Sequence, residues 1–82
     1  MFLVSVPLYL YERSGGGRWS QKYDSEQEAR TAHAQIEHYR LTGKKTADTA
    51  WVENMESNEN GHISGPATLQ LKIRLTTLVD LP

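Results

Sequence analysis

The sequence predicts a small α+β domain of order β-β-α-β-β, an antiparallel four-stranded sheet with one helix packed on one face. Three observations predict it: an alternating apolar run near the N-terminus, a change from period two to a helical period after Tyr23, and a second alternating run near the C-terminus. At 82 residues the chain makes a single domain, 1–82. A chain of this size buries only about 60–65% of its unfolded surface, so its core is one layer thick.

The first hairpin is predicted from the alternation and from a run of glycines. Residues 2–13 form the first strand, whose inward face is apolar: Phe2, Val4, Val6, Leu8 and Leu10. Pro7 has no N–H to donate, which predicts an edge position or a bulge there. The glycines at 15–17 predict a turn into the second strand, which carries Trp19 and Tyr23 on one side.

The helix is predicted to begin at Ser25 and to end near Leu41 or Thr42. Ser25 with Glu28 three residues later has the spacing of a capping box. The predicted core stripe has spacings of three, four and three: Ala29, Ala32, Ile36 and Tyr39. Gly43 then occupies the position where a helix ends in a left-handed residue.

A second hairpin is predicted after the helix. Its first strand lies near residues 50–57, and its phase is open, because either Trp51 with Met55 or Ala50 with Val52 can face inward. The turn signal is Asn60-Gly61. The last strand covers residues 67–79, with alternating apolar residues inward: Leu69, Leu71, Ile73 and Leu75.

Composition narrows the classes of function. The net charge is −1, so no global field attracts nucleic acid. The absence of cysteine excludes a disulfide framework, a zinc knuckle and a thiol nucleophile, and it is compatible with the cytoplasm, where we predict the protein to act. No apolar run approaches the roughly 20 residues of a membrane span. His33 and Glu37 lie one helical turn apart, but two ligands are too few for a metal site. We therefore expect no catalytic residues, cofactor or metal.

The predicted outer face of the sheet is the first candidate for binding. If the aliphatic side of the first strand faces inward, the outward side chains are aromatic and basic: Tyr9, Tyr11, Arg13, Arg18, Lys22, Lys72 and Arg74. Such a face suits protein docking, because tyrosine and arginine are enriched at interface hot spots. It also suits stacking of bases and contact with phosphates. In a third interpretation the tyrosines lie flat and simply cover their neighbours.

An acidic hairpin is the second candidate for partner binding. The predicted hairpin after the helix carries three carboxylates: Glu53, Glu56 and Glu59. A cluster of one sign can orient a partner of opposite charge, although a solvated hairpin has the same composition.

Two resemblances add to this interpretation. Gly17-Arg18-Trp19, followed by Tyr23-Asp24-Ser25 and Glu28-Ala29, resembles the hairpin-then-helix unit of AP2-like and phage-integrase arm-binding domains. That likeness implies a three-stranded sheet that reads DNA. The aromatic-Asp-Ser entry into a helix, the chain length and the lack of cysteine are also similar to small phage-encoded proteins, including some anti-CRISPR inhibitors.

We therefore predict a small non-enzymatic binding module that acts through contacts with another protein or protein complex. Its most specific form is a phage or mobile-element accessory inhibitor of a host complex, similar in kind to anti-CRISPR proteins. The alternative is a nucleic-acid-binding module that uses the basic-aromatic outer face, and a third is the subunit of an enzyme. The sequence does not decide whether the protein forms a homodimer through an edge strand. We expect no membrane partner.

Overall fold

The computed structural model describes residues 1–8, 18–46, 50–58 and 66–82. Within these ranges the chain forms a three-stranded antiparallel sheet and three helices, which confirms the α+β class. The elements in chain order are β1 (Phe2–Pro7), β2 (Arg18–Tyr23), α1 (Glu26–Thr42), α2 (Ala50–Asn58), α3 (Pro66–Lys72) and β3 (Thr77–Asp80). The predicted second hairpin is replaced by two helices and one short strand.

The central strand of the sheet is β1, which pairs antiparallel with β2 on one side and with β3 on the other. Val6 lies opposite Trp19, and Val4 lies between Gln21 on β2 and Leu78 on β3. Val4 and Val6 are completely buried, which confirms the predicted inward side of the first strand. Leu8 continues this side through an isolated bridge to Ile73.

Pro7 belongs to the central strand of the sheet, but at this residue only β2 pairs with β1, so the predicted edge position holds locally and not for the strand as a whole. It is the last residue of β1, and it pairs with Arg18 of β2. The β3 strand pairs only with Phe2 to Ser5, so it has ended before Pro7 is reached. A proline is tolerated here because a residue at the strand end can lack a ladder donor. Its carbonyl still accepts a hydrogen bond from the Arg74 backbone N–H at 3.0 Å.

The predicted helix is confirmed as α1, with both of its ends. Ser25 is the N-cap, and its hydroxyl accepts a hydrogen bond from the Glu28 backbone N–H at 3.1 Å. Gly43 adopts a left-handed conformation with φ 72°, and its N–H donates to the Tyr39 carbonyl at 2.8 Å. The predicted core stripe is buried: Ala29, Ala32, Ile36 and Tyr39.

The predicted strand near residues 50–57 is the helix α2, and its burial pattern gives the reason. Trp51, Val52 and Met55 are all buried. Their spacing of one and three residues places them on one side of a helix, whereas a strand would send Trp51 and Val52 to opposite faces. The sequence could not decide which residues of this segment face inward because the segment has a helical period, and a strand model assumes strict alternation.

The predicted strand over residues 67–79 is also largely wrong. Leu69 and Lys72, three residues apart in α3, are both buried, whereas alternation would send them to opposite sides of a strand. Leu71 and Leu75, which alternation placed inward, are among the most exposed large apolar residues described. The helix begins at a proline, the residue favoured at a first helical position. Only the final residues, Thr77–Asp80, form a strand.

All three helices contribute to one core on a single side of the sheet. The buried cluster combines residues of β1 and β2 with residues from every helix: Val4, Val6, Leu8, Trp19, Ala29, Ile36, Tyr39, Trp51, Val52, Met55, Leu69 and Ile73. Within it, the rings of Tyr39 and Trp51 meet edge to face, with centroids 5.2 Å apart. Each helix therefore packs on the side of the sheet that carries Val4 and Val6.

Replacing Ile36 with alanine is expected to lower the free energy of unfolding by about 2–5 kcal/mol, because it leaves a cavity under α1. The matched control is Leu41→Ala on the same helix, where the side chain is 69% exposed and the expected change is below about 0.5 kcal/mol. Urea unfolding of both variants measures the difference. Equal losses of stability in the two variants would show that α1 does not bury its Ile36 face.

Candidate functional site

The side of the sheet opposite the helices is the candidate site, and we call it the far face. It is defined by the strand residues that alternate with the core residues: Leu3, Ser5, Pro7, Arg18, Ser20, Lys22, Thr77 and Val79. Every described helix buries its residues on the other side. Within the described part of the chain, this surface is therefore left without a helical cover.

Cross-strand register arranges the far face in rows. Lys22, Leu3 and Val79 form one row across β2, β1 and β3. The next row holds the hydroxyl side chains of Ser20, Ser5 and Thr77. Directly opposed side chains in such a sheet stand about 4.5–5.5 Å apart. Ser20, Thr77 and Val79 are exposed on this surface and Leu3 is partly exposed, whereas Ser5 in the middle of the hydroxyl row is only 4% exposed.

Arg18 is fixed diagonally across the far face. Its Nη1 donates a hydrogen bond to the Ser5 hydroxyl at 2.6 Å, joining β2 to β1. Because Arg18 pairs with Pro7, Ser5 is its diagonal neighbour, a distance that a long side chain spans. This bond holds the guanidinium over the sheet while the residue stays exposed.

The charge of the far face is positive. Arg18 and Lys22 are both exposed, and none of the defined far-face residues is acidic. Asp80, the acidic residue of β3, pairs with Phe2, so its side chain lies on the side of the sheet that carries Val4 and Val6 and not on the far face. Among the described strand residues, the far face thus presents two cations and no anion.

The aromatic residues of the strands all lie on the helix side. Trp19 is buried in the core, and Phe2 and Tyr23 pack against it. Phe2 pairs directly with Tyr23, which places both on the same side of the sheet as Val4 and Val6. No aromatic side chain therefore lies among the residues that define the far face.

Glu37 anchors the start of β3 to α1. Its Oε1 accepts hydrogen bonds from the Thr76 backbone N–H at 3.1 Å and from the Thr76 hydroxyl at 2.5 Å. The same carboxylate accepts two bonds from the Arg40 guanidinium, at 3.2 and 3.0 Å. His33 also reaches this residue, with its Nε2 3.5 Å from the Thr76 carbonyl oxygen. This cluster positions Thr77 and Val79 at the edge of the far face.

The pKa of Glu37 reflects these contacts. Partial burial by itself raises the pKa of the carboxyl, but the hydrogen bonds from Arg40 and Thr76 outweigh burial and bring the pKa down from 4.5 to about 2. In return, Glu37 raises the pKa of the Arg40 guanidinium. The ionised form of Glu37 is therefore the form that the fold stabilises.

Of the basic residues predicted to lie on the outer face of the sheet, the structure places some there and others elsewhere. Arg18 and Lys22 lie on the far face as predicted. Lys72 is in α3 and is 7% exposed, and Arg74 is exposed but lies in the link before β3, so their predicted place on an outer strand is wrong. The cause is that α3 buries Leu69 and Lys72 with helical spacing and that the chain leaves the helix after Lys72. Tyr9, Tyr11 and Arg13 lie outside the described residues.

The predicted acidic hairpin is wrong in its secondary structure. Glu53 lies exposed on the helix α2. Nothing is described of the Glu56 side chain, and Glu59 falls outside the described residues. Sequence reasoning also left Leu3, Ser5, Thr77 and Val79 out of the candidate site. The alternation of β1 marks the first two, whereas the misassigned C-terminal strand concealed the last two.

Neither a metal-binding cluster nor a membrane span is found in the described ranges. No group of three or more His, Asp or Glu side chains there is placed to hold a metal ion. None of the helices described is both long enough and apolar enough to cross a bilayer.

Comparison with models of known protein families, with curated protein sequences and with solved structures finds no match to this chain.

Glu37→Gln is expected to destabilise the protein by about 1–2 kcal/mol at pH 7, because the carboxylate is largely but not fully shielded from solvent. A carboxyl with a lowered pKa in the folded state stabilises above the unfolded pKa of 4.5 and loses that contribution as the pH falls towards 2. The difference between the variant and the original protein should therefore shrink below pH 4.5.

Urea unfolding at pH 7, 5 and 3 measures this difference. Glu26→Gln is the matched control, since it removes the exposed ion pair with Arg30 from the same helix, and we expect it to cost below about 0.5 kcal/mol. A Glu37→Gln effect that is independent of pH would contradict the assigned role of the carboxylate.

Proposed function

We propose that this protein is a small non-enzymatic binding module whose far face docks onto an acidic surface of another protein. The observation that carries the proposal is the packing of every described helix on one side of the sheet, with a two-cation surface on the other. Complementary charge steers a partner and fixes its orientation. The aliphatic pair Leu3 and Val79 supplies apolar contact area beside those charges.

The composition of the far face favours protein over nucleic acid. Single-stranded nucleic acid is bound by stacking of bases on aromatic side chains. The described strands turn Phe2, Trp19 and Tyr23 towards the helices, so the described residues supply no stacking platform on the far face, and Tyr9 and Tyr11 lie outside them. A row of hydroxyl side chains between Arg18 and Lys22, with short aliphatic side chains in the row of Lys22, suits a protein surface instead.

The specific form that we propose is a phage or mobile-element accessory inhibitor of a host protein complex, similar in kind to anti-CRISPR proteins and acting in the cytoplasm. Such an inhibitor works by occupying a surface, which requires no catalytic residues. The far face offers a rigid surface of this kind, because Arg18 is held by Ser5 and β3 is anchored through Glu37. A preorganised surface loses less conformational entropy on binding.

Reversing the far-face charges is expected to weaken partner binding at least about tenfold, because each ion pair at the interface becomes a repulsion. The variant is Arg18→Glu with Lys22→Glu, and its matched control is Lys44→Glu with Lys45→Glu, which makes the same change in net charge after α1. A partner recovered from the native host and then purified is titrated calorimetrically with each protein. Equal affinity of the two variants would overturn the far-face assignment.

Salt dependence distinguishes protein from nucleic acid as the partner. Between 50 and 200 mM salt, the affinity for a protein partner should fall by less than about tenfold, whereas six to ten phosphate contacts would reduce it by roughly 10³–10⁵. A loss of the latter size, with equal binding to purified nucleic acid, would favour the alternative function.

A further inference from the structure

A groove of about 640 Å³, lined by both polar and apolar side chains, opens on the helix side of the molecule, away from the far face. It lies between the end of β2, the first half of α1 and the first half of α2. Its volume falls within the range of roughly 300–1,000 Å³ that is typical of ligand sites. The groove does not include the far face. The β2 residues that line the groove, Gln21 and Tyr23, are on the same side of the sheet as the core residues.

The small side chain of Ala32 leaves room for the groove. Ala32 and Trp51 both line it and are 7% and 5% exposed, so they form its base. Trp51 is held there by its edge-to-face contact with Tyr39. Its buried Nε1 has no hydrogen-bond partner among the described residues, and the indole N–H can serve as an NMR reporter of changes in the groove.

Carboxamide side chains line the walls of the groove. Gln21 from β2, Gln35 from α1 and Asn54 from α2 are all partly exposed there. The Asn54 amide donates to the Gln21 Oε1 at 3.0 Å, which ties β2 to α2 across one end. A carboxamide offers both donors and an acceptor, and the same combination occurs in the peptide main chain.

The length of the groove fits an extended peptide. Its lining along α1 runs from Ser25 to Gln35. Ten residues of helix span about 15 Å. An extended chain covers the same distance in about four or five residues.

The charge of the groove selects a cation. Among the described residues that line it, Glu28 is the one with a charged side chain, and none of them is a lysine or an arginine. The Glu28 carboxylate attracts a guanidinium or an ammonium group and repels an anionic ligand.

We propose that this groove binds a short extended peptide segment that carries an arginine or a lysine. The basic side chain pairs with Glu28, and the carboxamides on the walls bond to the peptide main chain. This site is independent of the far face, so the protein has two binding surfaces of opposite charge on opposite sides.

The test is an NMR titration of the isotope-labelled full chain with capped tetrapeptides that are identical except at one position. The acetyl-Gly-Arg-Ser-Gly-amide peptide should produce saturable shifts at Thr31, Gln35 and the Trp51 indole N–H, with a Kd in the millimolar range. Replacing its arginine with citrulline, which has the same shape and no charge, should weaken binding about fivefold, the equivalent of one exposed ion pair.

Two variants locate the charge that the peptide meets. Glu28→Gln should weaken binding of the arginine peptide about fivefold, to the level of the citrulline peptide. Glu26→Gln, which makes the same charge change in the first turn of α1 outside the groove, should leave the affinity within about twofold. Shifts confined to Ser20 and Lys22, the absence of any saturable shift, or equal binding by Glu28→Gln would each overturn the proposal.

Discussion

The alternation of apolar side chains along β1 is the constraint on which the rest of the structure depends. Because β1 is the central strand, burial of Val4 and Val6 fixes which side of both neighbouring strands faces the core. Through the strand register, Trp19 of β2 and Leu78 of β3 are placed on the same side of the sheet as Val6 and Val4. A one-residue slip in either ladder would send an entire set of side chains to the opposite face.

One-sided packing gives the molecule two unlike surfaces. A chain of 82 residues builds a core only one layer thick, and its three described helices share that layer. The far face is left with Arg18 and Lys22, whereas the groove on the other side is lined by carboxamides and Glu28. The small net charge of −1 therefore conceals a separation of charge between two faces.

The N-terminal half of the described fold is accessible to sequence reasoning because its signals are local. Alternation identifies the buried side of β1, and Ser25 and Gly43 mark the ends of α1 by their own hydrogen bonds. These features require only short-range physical chemistry. Arg18 and Lys22 are consequently placed on the correct face of the sheet.

The C-terminal half was mispredicted because short apolar patterns fit two periods. The alternation of Leu69, Leu71, Ile73 and Leu75 is perfect, yet tertiary packing buries only Leu69 and Ile73, one helical turn apart. Local pattern does not show which apolar residues the core has room for. The groove could not be predicted for the same reason, because it is formed by α2 beside α1 and the sequence pattern predicted a strand in place of α2.

Solvent exposure of valine methyl groups tests the central claim most directly. A soluble gadolinium chelate accelerates the relaxation of methyl groups that water can reach. We expect strong acceleration at Val79, which is 44% exposed on the far face, and little at Val4 and Val6, which are completely buried beneath the helices. Acceleration at Val4 and Val6 equal to that at Val79 would contradict it, because the helices would then not cover that side of the sheet.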